Sequence, residues 1–468
     1  MPTWVIRGRA TIGGVKSAEI ISLRHEGLGN SSYIVGIAEG QALVVDPDRR
    51  VHRYLDAATT RGWDIVSVLD THVHADFVTG SLELRERTGA TLHLPKVAGV
   101  GFPHRALTPG ERLELGDVEF EVIAAPGHAP EHVAYVMRGA PTETPHLFSG
   151  GALIAGGAAR TDLIAPELTE PLTRAQFHTL HEAFADLPDA TTLLPTHGSG
   201  SFCVAGGAGA LATTLGAERA TNPLVAEDDE EAFVTWWPAT FPGIPTYFER
   251  MRAVNVSGPR PLGDIPLPPA LAPDAFESAR ASGALVIDVR DPMAYATSHV
   301  IGSLSIHLRD VFATWLGWLV PADTPLLFVA GGESMGRIVD EASLVGYERF
   351  AGVLDGGIAA WASAGLPLAS IQVLNPEEAR RALLDGALPL DVREPDEVED
   401  GAIAGAICIP LGSLEDEIGD LPPGRPVLTY CGAGERSTSA ASILERHGIG
   451  PVVNLAGGYG VWRAAGRD

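Results

Sequence analysis

Two stretches of the chain carry residues whose types and spacing could do chemistry. In THVHADFVTG, Thr71 to Gly80, His72 and His74 stand two apart and Asp76 two further on. Imidazoles and a carboxylate at that spacing are metal-ligand chemistry. The next residue, where a further histidine would complete the run, is Phe77. The stretch therefore reads either as a working metal centre or as the remains of one. Far along the chain, VLTYCGAGERSTSAASILERHG sets Cys431 after an apolar β-type run and before a helix-like segment expected to begin near Ser437. Backbone N–H groups converge at a helix N-terminus, and with the helix dipole they favour a thiolate. Gly432 and Gly434 let the backbone curl closely around the sulfur. Arg436 adds positive charge for an anionic sulfur donor.

The elements around these stretches differ between the two parts of the chain. The N-terminal part has many short β-type runs: ALVVD, VSVLDTH, TLHLP, VEFEVIAAPGH, HVAYVM and TTLLPTHG. Helix-like segments such as Val51–Arg61 and Ser81–Thr88 intervene. Histidines recur where the runs end, and loops at strand ends are where fixed scaffolds carry chemistry. A proline-dense stretch, SGPRPLGDIPLPPALAPDAF, admits neither helix nor central strand and reads as a linker. After it the sequence is duplicated. ALVIDVRDP matches ALPLDVREP, HVIGSLSIHL matches GAIAGAICIPL, and LDGGIAAW matches LAGGYGVW. The offset is about 100 residues, a domain size rather than a solenoid period. Each copy alternates short apolar runs with helix-like segments, the pattern of an α/β domain with a parallel sheet.

Composition narrows the function classes. The chain of 468 residues carries 59 acidic and 33 basic residues, a formal net charge of −26. Phosphate binding needs a basic face, so no nucleic-acid partner is expected. Docking to anionic membranes is disfavoured for the same reason. No apolar run approaches the ~20 residues that cross a bilayer. The opening MPTWVIRGRA lacks the charged-then-apolar pattern of a signal peptide. Cys203, Cys408 and Cys431 make no disulfide framework. A cytoplasmic, reducing setting is expected, in which any functional cysteine acts as a thiol. Cys408 in AICIPL is expected in a core, and Cys203 in GSFCV reads as structural.

The stretches THVHADFVTG, APGHAPEHVAYV, FSGGALIAGGAARTDL and LPTHGSGSFC resemble the metallo-β-lactamase fold. The nearest branch is that of the persulfide dioxygenases, close to the glyoxalase II hydrolases. The resemblance implies an αββα sandwich with a metal site at one sheet edge. It matches His72, His74, Asp76, His128 in PGH and His197 in PTHG, and keeps Arg160, Thr161 and Asp162 of the last glycine-rich stretch. It departs at Phe77 and at Gly151, which stands where the family has an aspartate ligand. In the dioxygenases one iron is held by the residues matching His72 and His128 and by that aspartate. A two-histidine, one-carboxylate set leaves positions for substrate and dioxygen, and here the carboxylate is missing. Three readings follow: a degenerate site that keeps the fold but not the oxidation; a rewired site completed by His74, Asp76 or His197; or the usual dioxygenase. The expected ion is Fe2+ or Zn2+, with no bound ion as the alternative.

The loop CGAGER, with DVREP, GAIAGAICIPL and LAGGYGVW, resembles the active domain of the rhodanese sulfurtransferases. The match implies that Cys431 is the nucleophile that carries a sulfane sulfur as a persulfide. It also implies that Gly432, Ala433, Gly434, Glu435 and Arg436 cradle the anion. The first copy reads PLLFVAGGESMGRIVDEA, with Ala330 near the nucleophile position and no cysteine anywhere. A structural role is expected for it. The order of the parts resembles persulfide dioxygenase–rhodanese fusions of sulfide detoxification.

The expectation is thus a multidomain α/β and α+β protein. An αββα metallo-β-lactamase sandwich over 1–253 and a linker over 254–273 precede two tandem α/β rhodanese domains, cysteine-less over 274–370 and cysteine-bearing over 371–468. The expected activity is sulfur transfer through Cys431 between small-molecule sulfur donors and thiol acceptors. An active iron dioxygenase with altered ligation and a non-enzymatic sulfane-sulfur-binding protein are the alternatives. A homo-oligomer is expected by analogy.

Overall fold

The computed structural model describes residues 4–6, 19–139, 144–204 and 212–466. It divides into two compact units, 1–265 with 343–346, and 266–342 with 347–468. No helix among the described residues is long and apolar enough to cross a membrane.

The first unit is built on two sheets. Seven strands run in chain order from Trp4–Ile6 to Arg105–Leu107, and six lie in the order Thr213–Thr214, Thr192–Pro195, His146–Gly150, Val133–Arg138, Val118–Ala124, Arg112–Leu115. Alternation along each strand sends one set of side chains between the sheets. Tyr33, Val35, Leu43, Val45 and Leu69 of the first sheet bury against Phe120, Val122, Tyr135, Met137 and Phe148 of the second. The outer faces are covered by helices. Tyr54 and Ala58 of His52–Arg61 pack against Ile34, Val44 and Val68. Phe177 of Thr169–His178 packs against Val136, Leu147 and Leu193. The four layers are the expected αββα sandwich.

The helix Tyr247–Ser257 runs through the boundary expected at residue 253. Its Asn255 donates to the carbonyls of His74 and Phe77, both at 2.8 Å, and accepts from the Thr79 amide at 3.0 Å. The THVHADFVTG loop is thereby tied to a segment that had read as linker. Strand Ala270–Leu271 likewise pairs with Phe350–Leu354, so the stretch without helix or strand is 258–269.

The second unit shows the duplication as two parallel five-stranded sheets of one topology. The first copy has the order Ala270–Leu271, Phe350–Leu354, Leu326–Val329, Leu285–Asp288, Leu304–Ser305. The second has Gln372–Leu374, Val452–Leu455, Val427–Tyr430, Leu388–Asp391, Ile407–Cys408. Each keeps a buried carboxylate–guanidinium pair from its D-V-R motif, Asp288 with Arg290 and Asp391 with Arg393, at 2.6 Å.

Candidate functional site

In the first unit the chemistry sits where strands end. Parallel pairing of Gln41–Val45 with Asp64–Leu69 matches Val45 to Leu69, which sets Asp46 and Asp70 side by side. Parallel pairing of His146–Gly150 with Thr192–Pro195 matches Gly150 to Pro195, which brings Gly151 to His197. The loop joining Val118–Ala124 to Val133–Arg138 carries both His128 and His132. His72, His74, Asp76, His128, His132 and His197 are all buried.

Three groups of ligand atoms each lie within 4.8 Å of one another: His72, His128 and His197; His74, Asp76 and His197; Asp46, Asp70 and His74. This histidine–aspartate cluster could hold a metal ion. Its partners are specific. Asp46 accepts from the Thr71 amide at 2.7 Å, from Thr71 Oγ1 at 2.8 Å and from the Thr196 hydroxyl. It also faces His74 Nε2 at 3.3 Å. Its backbone is left-handed, φ +48°, a strained conformation that clusters at functional sites. Burial alone would raise the Asp46 carboxyl, but His74 and the hydrogen-bond donors hold it below its ordinary range. Burial would lower His74, but Asp46 draws it upward. Burial, reinforced by neighbouring histidines, drives His72 and His128 well below the ordinary imidazole value. Burial takes His132 to about 3. Neutral imidazole is the form that binds metal. Burial, then the Asp46 charge, raises Asp70 to about 7.

Phe77, the residue that breaks the histidine run, stacks on the His74 ring at 4.3 Å between centroids. It is core packing that holds a site residue. Gly151 does stand among the histidines. A Cβ there would lie 2.8 Å from His128 Cδ2, 2.9 Å from Ala159 Cβ and 3.1 Å from His197 Cδ2. Gly151 therefore offers no carboxylate to the His72–His128 pair, whereas His74, Asp76 and His197 supply two imidazoles and one carboxylate.

Asp46, Asp70 and His132 were not singled out in the sequence. The signal available was positional. Asp46 ends the run ALVVD and Asp70 ends VSVLD, as the histidines end theirs. His132 stacks on His72 at 4.6 Å and accepts from the Gly151 amide at 2.9 Å. ARTDL contributes through its backbone, the Arg160 carbonyl meeting His128 Nδ1 at 2.7 Å. The Arg160 side chain forms a two-pronged pair with Asp162 at 2.6 and 2.8 Å.

In the second unit Cys431 follows the strand Val427–Tyr430 directly and is buried. The helix behind it is Glu435–Arg446, beginning two residues earlier than expected, because Gly434 at φ +102° caps it. The Gly434 amide points at Cys431 Sγ, 3.1 Å away. Arg436 is not free: Glu397 holds it in a two-pronged pair at 2.5 and 2.6 Å. LAGGYGVW backs the loop, the Tyr459 amide donating to the Cys431 carbonyl at 2.7 Å and the Gly460 amide to that of Gly432 at 3.3 Å.

In the first copy Ala330 follows the strand Leu326–Val329 as Cys431 follows its own. That copy also supports the cysteine-bearing one. Ser439 of the helix Glu435–Arg446 donates to the Ser305 carbonyl at 2.7 Å, Arg309 pairs with Glu435 at 2.7 Å, and His299 meets Glu445 at 3.1 Å. Cys203 is buried, but Cys408 is exposed, contrary to the core placement expected of it. It lies on a two-residue strand at the sheet edge.

A metallo-β-lactamase-fold sandwich carrying a histidine–aspartate cluster, joined to two rhodanese-like domains, is the class that fold and sites define. The rhodanese-like domain family matches residues 272–364 and 375–465. The chain is similar to a hydroxyacylglutathione hydrolase of Polaromonas sp., 33% identical over 172 residues, 36% of this chain and 62% of that protein. It is similar to a hydroxyacylglutathione hydrolase of Pseudomonas putida, 32% identical over 206 residues, 40% of this chain and 78% of that protein. Among solved structures it resembles a metallo-beta-lactamase from Staphylococcus aureus, 25% identical with a TM-score of 0.65, over 72% of this chain and 99% of that one. Through its N-terminal unit the chain belongs to the hydroxyacylglutathione hydrolase family, here fused to tandem rhodanese-like domains. It spans less than two thirds of the Polaromonas relative's length.

Proposed function

We propose that the chain is a rhodanese-type sulfurtransferase working through Cys431, fused to a persulfide-dioxygenase-like domain. The observation that carries the reading is the Gly434 amide aimed at Cys431 Sγ from 3.1 Å, at the N-terminus of a 12-residue helix. A hydrogen-bond donor and a helix dipole at one sulfur stabilise thiolate and persulfide anion alike. The thiolate attacks the outer sulfur of thiosulfate. The sulfur–sulfur bond breaks, sulfite leaves with the bonding pair, and Cys431 holds a persulfide. Cyanide or a thiol then takes that outer sulfur, giving thiocyanate or a new persulfide and restoring the thiolate. The backbone of Gly432 to Arg436 is the cradle for the anionic donor. Tethering to a second sulfur-handling domain would raise the local concentration of the carried sulfur.

No oxidation step is assigned to the N-terminal domain, because the carboxylate that completes the dioxygenase iron set has no counterpart at Gly151. The test uses the full chain and thiosulfate-to-cyanide transfer. Cys431→Ser should abolish it, and Cys408→Ser, on the exposed sheet edge, should not. Transfer retained by Cys431→Ser refutes the assignment. Persulfide on Cys431 with no turnover to any acceptor makes the protein a sulfane-sulfur binder instead.

A further inference from the structure

In the first unit, away from the histidine cluster, the helix Leu215–Thr221 buries two side chains one turn apart, Leu215 and Glu218. Glutamate is almost never fully buried without a partner for its charge, and Glu218 is 3% exposed. Its Oε2 accepts from the Gly156 amide at 2.8 Å and from Asn222 Nδ2 at 2.9 Å. Both donors are neutral, and Oε1 is left without one. The neighbouring Arg219 commits its guanidinium elsewhere. Its Nη1 donates to Asp189, and its Nη2 to the carbonyls of Phe184, Ala185 and Leu187 at 2.9, 3.1 and 3.0 Å.

Glu218 lines a cavity of about 220 Å³. The rest of the wall is mostly apolar, with Leu153, Leu180, Phe184, Leu215 and Val225. One side is the π-turn Thr179–Ala183, which continues the helix Thr169–His178. Such turns are rare and recur at functional sites. His181 of that turn also lines the cavity. Its Nδ1 meets the Phe177 carbonyl at 2.7 Å and donates, because a carbonyl only accepts. In the neutral ring Nε2 is then an acceptor, and it is buried without a donor. We propose that this cavity binds a small organic ammonium ion. The ammonium group donates to Glu218 Oε1, with His181 Nε2 as second acceptor, and the apolar body packs against the leucines, Phe184 and Val225. The ligand's charge thereby gives the buried carboxylate the cation that the chain does not supply. A cavity of about 150 Å³ takes a benzene molecule, so this one has room for a ring with a short ammonium arm. An anionic ligand would meet the carboxylate, and a hydrocarbon would leave both acceptors unpaired.

The test titrates the full chain with benzylammonium and with neutral benzyl alcohol by isothermal calorimetry. Benzylammonium should bind once per chain, and benzyl alcohol more weakly by about tenfold or more. Glu218→Gln should lower the affinity for benzylammonium by about tenfold or more and close the gap between the two ligands. Val225→Trp, at a partly buried position on the wall, should abolish binding of both. Circular dichroism checks that the variants fold. Diffraction from the unmutated chain soaked with para-bromobenzylammonium needs no variant, and the bromine should lie in this cavity. No binding of benzylammonium, equal affinity for the alcohol, full affinity in Glu218→Gln, or bromine bound elsewhere would each overturn the proposal.

Discussion

The duplication supplies a matched pair of glycines that isolates the geometry of the Cys431 loop. Gly458 has φ +62°, and a Cβ built there would lie 2.2 Å from the Cys431 carbonyl oxygen and 2.8 Å from the Gly432 carbonyl. Its counterpart in the cysteine-less copy, Gly357, has φ +59°, and its Cβ would lie 3.3 Å from the Ala330 oxygen. Alanine in a left-handed conformation costs about 1–2 kcal/mol, and both substitutions carry that cost. Only Gly458→Ala adds a steric overlap. Carbon and carbonyl oxygen approach to about 3.3 Å, so the loop must move by roughly 1 Å and strain the Tyr459–Cys431 hydrogen bond. A displacement of about 1 Å at a reacting group costs on the order of 100-fold in rate, or about 2.7 kcal/mol of activation free energy. Gly458→Ala should therefore lower kcat/KM for thiosulfate-to-cyanide transfer by about two orders of magnitude. Gly357→Ala should transfer sulfur at close to the unmodified rate while melting at a lower temperature. The measurement pairs steady-state kinetics with thermal melts of the two full-length variants. Near-normal transfer by Gly458→Ala, or an equal loss in Gly357→Ala, would refute the reasoning.

Two further outcomes concern the N-terminal unit. Asn255→Ala removes the side chain that satisfies the His74 and Phe77 carbonyls and the Thr79 amide. Buried groups left unpaired cost about 1–3 kcal/mol each, so urea unfolding should register a loss of about 3 kcal/mol, and no loss would count against the loop's dependence on the helix Tyr247–Ser257. His93 is buried with neither ring nitrogen hydrogen-bonded, and burial lowers it from 6.5 to about 4. The unfolded chain therefore takes up this proton first as pH falls, and the associated stability, full above about 6.5, drains away towards 4. His93→Leu should flatten the pH dependence of the urea midpoint across that window, and an unchanged slope would argue against the assignment.

The two sites differ in how far they could be read from the sequence. The Cys431 loop is local: strand, four loop residues and helix follow one another, so composition and order already specify a thiol at a helix N-terminus. The duplication is equally plain in one dimension, and it locates the missing nucleophile at Ala330. What the sequence could not show there is the support from elsewhere, Glu397 on Arg436, Gly458 against the Cys431 carbonyl, and Ser305 and Arg309 of the cysteine-less copy. The exposure of Cys408 also escaped it, because an apolar neighbourhood in sequence does not reveal a two-residue edge strand.

The histidine cluster is the opposite case. Resemblance to the metallo-β-lactamase fold implied that Gly151 stands where the family has an aspartate ligand and that five of the matched positions remain. Which nitrogens meet was decided by tertiary structure. Parallel pairing places Asp46 beside Asp70 and Gly151 beside His197, and those residues lie far apart along the chain. The groups behind the His128 and His197 rings, the Arg160 carbonyl and Asn30, come from distant segments, whereas Thr71 beside His72 is its chain neighbour. Spacing along a chain specifies which side chains are available. For His128 and His197, only the folded sheets bring the group behind the ring into place.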